Sequence, residues 1–463
     1  MESTLYIGAL LAVALIAGLA IFSGSRLKGG SEENNNNSGV VAGLIMGTLV
    51  GGSSTIGTAQ LAYHYGMSAW WFTLGAGIAC LIQALLYATP LRKFKCRTLI
   101  GILRQEYGEK VGMAASLLSS LGTFINILSQ LLAASAVVLV IFPAAGDRWP
   151  LILSAVTMVL YVAFGGTKGA GIVGMLKLGL LCTAMLLCGF TAVRLFGGTS
   201  AIIPAVSHLC DETGVNYFSV LARGAGEDLG ACLSLILGVL TTQTYAQALL
   251  SAGSDRQAKR GGFIAAFMIP PIGICGILVG LYMRTVTDPT VFSSKTALTN
   301  FVLEQLPAPV AGVVLGTLFI ASVGTGAGLA LGIATIIRCD ILPCFVKREF
   351  GGKIQGLIIF IVLAAACLLS LGPIGDIILN FAFMSMGLRG AVLFFPLCCA
   401  LWFRGKVAPQ YVLGSVIVSP ILVLLFGTVF SKLWPWDPLF IGVLCSLLIM
   451  GYGFAKRALW CRH

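Results

Sequence analysis

The sequence predicts an all-α polytopic membrane protein with about thirteen spans. Hydrophobic residues make up 58% of the 463-residue chain and charged residues only 10%, and the mean hydropathy is +0.97. A soluble domain has roughly a quarter of its residues charged, so lipid must solvate most of the outer surface. The 58 glycines suit the close packing and the breaks of membrane helices.

Apolar runs about twenty residues long, enough to cross a bilayer, mark the predicted spans. The first run, Leu5–Phe22, lacks a basic leader, so we interpret it as a retained helix and not as a signal peptide. The segment Gly29–Ser38, with four consecutive Asn, is expected to be a flexible polar loop. The predicted spans lie at roughly 4–23, 38–63, 67–89, 112–142, 149–165, 172–197, 225–250, 260–284, 309–337, 353–372, 374–403, 408–430 and 438–455.

Most Lys and Arg residues lie in alternate connections between these spans. Positively charged loops stay in the cytoplasm. We therefore expect a multi-pass protein of the cell membrane with its N-terminus outside and its C-terminus in the cytoplasm. The net charge of +12 then reflects topology, and no nucleic-acid partner is expected. The basic connections are 24–37, 90–111, 166–171, 251–260, 338–353, 404–407 and the tail after 455.

Metal-dependent, ATP-driven and enzymatic chemistry has no visible support in the sequence. The 14 Cys show no paired metal spacing, and most lie in apolar runs as small hydrophobic residues do. No H-E-x-x-H motif, Walker loop or dinucleotide fingerprint is present. We therefore expect neither a catalytic site nor an enzyme.

Two spans contain small polar residues near their middle. One has Gly51-Gly52-Ser53-Ser54-Thr55-Ile56-Gly57, and the other runs from Gly238 to Thr244. They lie five spans apart, so two five-span units that start at 38 and 225 have opposite orientation. That is the pattern of an inverted-repeat transporter whose discontinuous helices form the site. The alternative is that these residues only let helices pack closely.

Three stretches resemble the sodium:solute symporter family: residues 51–72, 244–262 and 321–341. The second is the most specific, because Gln247, Ser251 and the run Ala258–Gly261 keep the family's spacing, although Ala248 stands where the family usually has Arg. The resemblance implies a LeuT-like 5+5 inverted-repeat core with one extra N-terminal and two extra C-terminal helices. The expected units are 1–37 (extra helix and polar loop), 38–197 (first repeat), 198–224 (external loop), 225–404 (second, inverted repeat) and 405–463 (two C-terminal helices and tail).

The resemblance also implies a Na⁺ site between the first and eighth core helices, built from carbonyl and hydroxyl oxygens, which hard cations prefer. By motif the carbonyls are those of Gly47, Val50 and Ala321, and the hydroxyl is that of Thr325. The family often has a second hydroxyl at the position of Gly324. Ser322, one turn away, either replaces it or bonds its own helix backbone.

Two basic residues, Lys177 and Arg389, lie within predicted spans and away from their ends, where an ionisable group suggests function. Many family members carry an Asp in the sixth span, but this chain has none in 166–197 and has Lys177 about a turn further on. The lysine amine either mimics bound Na⁺ and exchanges protons, which makes H⁺ the alternative coupling ion, or extends to the membrane interface. Arg389 either meets a substrate carboxylate, pairs with a helix C-terminus or reaches the inner surface.

The solute is expected between the two breaks. None of the polar candidates there is Asp or Glu, so a neutral or anionic solute is favoured, and the positive ends of half-helices suit a carboxylate. The candidates are Ser53, Ser54, Thr55, Gln60, Asn126, Gln130, Thr241, Thr242, Gln243, Asn380 and Ser385.

The leading hypothesis is therefore Na⁺-coupled symport of a small organic solute by alternating access. A proton-coupled or sodium-independent transporter that uses Lys177 is the alternative within the same fold. A membrane solute sensor that acts with a separate partner is the alternative of another class. The expected partners are the lipid bilayer and the solute, and the oligomeric state is not predicted.

Overall fold

The computed structural model describes residues 36–460 except 95, 97, 147, 166–169, 343–351, 373–376, 431–433 and 435. The first predicted span and nearly all of the Asn-rich loop lie outside the described residues. The helices are α1 (Ser38–Leu49), α2 (Thr58–Tyr65), α3 (Trp71–Ile82), α4 (Ala88–Lys93), α5 (Leu99–Tyr107), α6 (Glu109–Ile141), α7 (Arg148–Gly165), α8 (Ala170–Leu195), α9 (Thr199–Thr213), α10 (Ala225–Thr241), α11 (Gln243–Leu250), α12 (Asp255–Val286), α13 (Ala297–Gln305), α14 (Ala308–Ile336), α15 (Gly352–Ser370), α16 (Ile378–Trp402), α17 (Pro409–Thr428) and α18 (Leu439–Trp460).

The all-α membrane fold is confirmed. Every predicted span from 38 to 455 contains one of these helices. Within the described part of the chain, eight helical segments are long and apolar enough to cross a membrane, and one of them, Ser53–Lys93, includes α2, α3 and α4. The number is nine if α10 and α11 form one bent span. Three shorter apolar helices, Ser38–Leu49, Arg148–Ala163 and Ile354–Ser370, lie in further predicted spans.

Local sequence signals explain where several helices begin and end. Asn37, Thr98 and Ser254 each precede a helix, and their side-chain oxygens accept hydrogen bonds from backbone amides of the first turn. Gly108 and Gly214 follow α5 and α9 with φ of 92° and 71°, a conformation that favours glycine. α9 lies within 198–224, which the sequence analysis assigns to an external loop, and Val206 and Leu209 are its buried residues.

The centre of the bundle is formed by α1, α6, α8, α10, α12, α14 and α16. α6 packs against α14 and α16, α10 packs against α16 and α3, and α1 packs against α12 and α8. α17 and α18 pair with each other and contact α16. Large apolar side chains such as Phe190, Leu368 and Leu448 are exposed on the outside, where the bilayer solvates them.

Both predicted helix breaks are present. α1 ends at Leu49, and Val50 is extended, with φ −91° and ψ 104°, before a π-helical turn at Ser53–Gly57 leads into α2. α10 ends at Thr241, Thr242 is extended, with φ −84° and ψ 125°, and α11 follows at an angle of 48°. Each break leaves the carbonyls of a last helical turn free for other partners.

The glycines at the first break also allow close packing. A Cβ atom on Gly52 would lie 2.3 Å from the Ala133 Cβ and 2.4 Å from the Ser322 Oγ. One on Gly51 would lie 2.6 Å from the Thr325 Oγ1. The two interpretations of the sequence pattern, a broken helix and close helix packing, therefore apply to the same residues.

Candidate functional site

Two of the predicted sodium ligands bind the side chain of Lys177. Its Nζ donates hydrogen bonds to the Gly47 carbonyl and to the Thr325 Oγ1, each at 2.8 Å. Lys177 is 3% exposed, so the amine is directed at the broken helix and does not extend to the membrane interface.

The position of Lys177 follows from helix packing. α8, which carries the lysine, contacts both α1 and α14. The Gly47 carbonyl belongs to the last turn of α1, where the helix dipole is negative and unpaired carbonyls face a cation. The ammonium therefore joins α1 to α14 at the break.

The other predicted ligands lie close in sequence to these two oxygens. Val50 is the extended residue that ends α1, and Ala321 lies one turn before Thr325 in α14; both are buried. The Ser322 Oγ donates to the Leu318 carbonyl at 2.9 Å, which is the backbone-bonding alternative of the sequence analysis.

Tyr161 of α7 packs against Gly324 of α14. A Cβ atom on Gly324 would be 3.3 Å from the Tyr161 Oη. The second hydroxyl that the family often has at this position is thus absent, and an aromatic side chain fills the space beside it.

A hydrogen-bond network joins the first break to α6. The Gln130 Oε1 accepts from the Gly52 amide at 3.0 Å, and its Nε2 donates to the Ser53 Oγ at 2.7 Å. Ser53 and Ser129 share a hydrogen bond of 2.6 Å, and the Ser129 Oγ also bonds the Ile378 carbonyl at 3.0 Å. The sequence reasoning missed Ser129, although its place beside Gln130 in an apolar span was a usable signal.

Several predicted solute residues bond the backbone of their own helix. The hydroxyls of Ser54 and Thr55 donate to the Gly51 carbonyl, each at 2.9 Å, and Thr241 donates to the Leu237 carbonyl at 2.7 Å. Such bonds to nearby backbone carbonyls are common for Ser and Thr in membrane helices.

Two predicted glutamines bind the first residues of other helices, and one asparagine lies apart. The Gln60 Oε1 accepts from the Ile378 amide of α16 at 3.0 Å, and the Gln243 Oε1 accepts from the Leu99 amide of α5 at 2.7 Å. Asn380 is exposed. Gln60 and Gln243 thus connect each broken helix to a neighbouring helix N-terminus.

Asn126 of α6 is 4% exposed, and its Oδ1 has no hydrogen-bond partner among the described residues. A buried polar atom without a partner costs roughly 1–3 kcal/mol. Asn126 lies one turn from both Gly122 and Gln130, on the side of α6 that contacts α16 and the first break. Its free oxygen is available to a solute.

Arg389 of α16 is 1% exposed and lies at the second break. Its Nη1 donates to the Thr242 Oγ1 at 2.8 Å, its Nη2 to the Ser385 Oγ at 3.1 Å, and its Nε to the Ser385 carbonyl at 3.2 Å. The Ser385 Oγ in turn donates to the Gly122 carbonyl at 2.6 Å. The guanidinium therefore sits at the C-terminal end of α10, against α6.

Neither buried cation forms an ion pair in the described part of the chain, where the salt bridges involve Arg92, Arg104, Arg223 and Arg404. Lys177 and Arg389 share a second feature. Each lies on the fifth span of its predicted five-span unit and binds the end of a half-helix, α1 or α10.

Polar contacts hold the broken helices at both ends of the bundle. At one end Arg223 pairs with Asp228 at 2.7 Å, and the Ser68 Oγ donates to the same carboxylate at 2.6 Å. At the other end Arg92 pairs with Asp255 at 2.8 Å and also bonds carbonyls at the C-terminal end of α11.

The comparisons with known proteins agree with this architecture. A family model described as "Sodium:solute symporter family" matches residues 35–403. The human high affinity choline transporter 1 is 22% identical over 441 residues, which are 87% of this chain and 73% of that protein. A monocarboxylic acid transporter of Corynebacterium glutamicum is 20% identical over 345 residues, 69% of this chain and 62% of that protein. The structure of a Na⁺-coupled sialic acid symporter in a substrate-bound outward-open state superimposes with a TM-score of 0.78 at 17% identity and covers 98% of this chain and 97% of its own.

Proposed function

Because the chain belongs to the sodium:solute symporter family, it is a multi-pass secondary transporter, and we propose that it carries a small neutral or anionic organic solute by alternating access around the two broken helices. The family and the Na⁺-coupled structural neighbour support Na⁺ as the coupling ion.

Arg389 carries the proposal on solute class. A buried guanidinium without a carboxylate partner in the described residues is costly, and a solute carboxylate would complete the pair with two parallel hydrogen bonds. Arg389 shares the α6 side of the bundle with Asn126, whose buried oxygen lacks a partner. Together the two side chains offer a charged donor and a neutral amide.

The names of the relatives span both charges: the human protein is a choline transporter, and the Corynebacterium protein is a monocarboxylic acid transporter. Choline is a quaternary cation, which a site centred on a buried Arg would repel. The chemistry of this chain's own residues therefore favours the neutral and anionic classes.

A thermal-shift screen of the purified protein tests the solute class. A ligand stabilises the state that it binds, so amino acids, sugars, short carboxylic acids and quaternary amines would be compared with and without Na⁺. We expect stabilisation by a neutral or anionic compound, greater with Na⁺. Arg389→Gln should abolish the response to an anion, whereas Arg194→Gln, at an exposed position, should keep it. Stabilisation by quaternary amines alone would contradict the proposed class.

The unit boundaries and the orientation belong to the same proposal. Two repeats, 38–197 and 225–404, are supported by the equivalent breaks at Val50 and Thr242. An N-terminus outside and a C-terminus in the cytoplasm are supported by the basic connections.

A further inference from the structure

The amine of Lys177 occupies the position where the family resemblance places a shared Na⁺. We propose that this ammonium is a tethered cation that holds α1 and α14 together, and that the amine and Na⁺ exclude each other from this position. This inference rests on the proposed function, because it assumes that the cation position takes part in transport. It goes further by identifying the Lys177 amine as the cation that fills the position.

The geometry is that of a bound cation. The two oxygens at 2.8 Å from Nζ, the Gly47 carbonyl and the Thr325 hydroxyl, come from the two helices that the expected ion would bridge. An ammonium has three N–H donors and no acceptor, so it satisfies the same oxygens that a hard cation binds.

The position does not hold both cations. The ammonium already uses the Gly47 carbonyl and the Thr325 hydroxyl, and Gly324 supplies no second hydroxyl beside them. A Na⁺ ion bound to the Gly47 carbonyl and the Thr325 hydroxyl would lie in contact with the ammonium. At that distance two positive charges in a buried site repel each other strongly. With the lysine in place, the position does not fit Na⁺.

The ammonium provides the positive charge that a bound ion would otherwise place at the end of α1. The carbonyls at the end of α1 need a positive partner, and Lys177 supplies it from α8 without leaving the protein. Na⁺ can enter only after the amine has moved from the Gly47 carbonyl, so α1 and α14 stay joined in the absence of bound ion.

The second break offers an independent parallel. Arg389 donates to Thr242 at the end of α10, as Lys177 donates to Gly47 at the end of α1. A built-in cation at each half-helix C-terminus is thus a feature of both five-span units.

Equilibrium binding of ²²Na⁺ to the purified full-length protein tests the proposal without a solute. Lys177→Met removes the charge and keeps the length of the side chain. We expect it to create or strengthen Na⁺ binding by at least about tenfold in affinity, which corresponds to about 1.4 kcal/mol. Lys177→Arg keeps the charge and should bind Na⁺ no better than the wild type, and Lys110→Met, at an exposed lysine, should be indistinguishable from it.

A double variant shows whether the gained ion uses the same oxygens. Thr325→Val removes the hydroxyl with little change in volume, so Lys177→Met/Thr325→Val should lose the gain. The proposal is overturned if folded Lys177→Met protein binds Na⁺ as the wild type does, or more weakly, or if the gain survives loss of the Thr325 hydroxyl. Lys177→Gln serves the same comparison if the Met variant does not fold.

Uptake measurements separate this inference from the proposed function. Wild-type proteoliposomes would be assayed with radiolabelled amino acids, sugars and short carboxylic acids. If the wild type takes up a solute and Lys177→Met binds Na⁺ as the wild type does, the tethered-cation proposal is wrong and the transport proposal stands. A gain of Na⁺ binding with no uptake of any compound under any ion gradient overturns the transport proposal alone.

Discussion

Single residues decide the chemistry at the two breaks. Lys177 and Arg389 are buried charges, and neither has a carboxylate partner in the described structure. Burial of an ionised group costs several kcal/mol unless hydrogen bonds and dipoles offset it. Here the offset comes from carbonyl and hydroxyl oxygens and from the negative ends of α1 and α10. Such an arrangement keeps positive charge buried at the two breaks, where it is able to act on an ion or a solute.

Gln130 gives a stability prediction at the residue scale. Gln130→Ala would leave the buried Gly52 amide and the Ser53 hydroxyl short of a partner, and a lost buried hydrogen-bond partner costs roughly 1–3 kcal/mol. We expect a lower midpoint of SDS-induced unfolding and weaker solute binding. Gln410→Ala, at an exposed position, is the matched control and should leave both unchanged. An unfolding midpoint equal to that of the control would show that the network does not stabilise the break.

The sequence offered two alternatives for Lys177, the Na⁺ position that includes Thr325 or the membrane interface, and did not decide between them. Lys177 and Thr325 are 148 residues apart, and their contact depends on how α8 packs against α14. The sequence also identified the polar residues near the breaks, but it did not show which group each of them binds. Whether Gln60 faces a solute or binds the start of α16 depends on side-chain direction, which composition does not encode.

At the scale of helices, the breaks were predictable because glycine and hydroxyl residues interrupt apolar runs. The sequence did not predict that Val50 and Thr242 adopt the extended backbone, since neither residue is unusual in a helix by itself. α9 and α13 were treated as parts of connections. Both are short, and packing against the larger helices stabilises them more than intrinsic propensity does.

Glycine at the first break gives a prediction at the same scale. Gly52→Ala forces a methyl group against Ala133 and Ser322, and overpacking of a tight contact typically costs about 1–3 kcal/mol. We expect reduced stability and reduced solute binding, because the segment at the break must move away from α6 and α14. Gly328→Ala, on α14 with open space around the added methyl, should be neutral or slightly stabilising. Equal effects of the two substitutions would contradict close packing at the break.

At the scale of the whole molecule, composition predicted a membrane protein and the periodic apolar runs located its spans. The packing of the spans could not be read from the sequence alone, because lipid-facing and buried surfaces are both apolar. The structure shows which helices are central and that polar contacts hold the broken helices at both ends of the bundle.

The most direct measurement is solute uptake into proteoliposomes that contain the wild-type protein, with the compound that gives the largest thermal shift. An inward Na⁺ gradient should accelerate uptake above the level seen with equal Na⁺ on both sides, and dissipating the gradient with an ionophore should remove the acceleration. Arg389→Gln should reduce uptake under the same gradient. Uptake that is indifferent to Na⁺ and follows a proton gradient would contradict Na⁺-coupled symport, and saturable binding without any uptake would contradict transport itself.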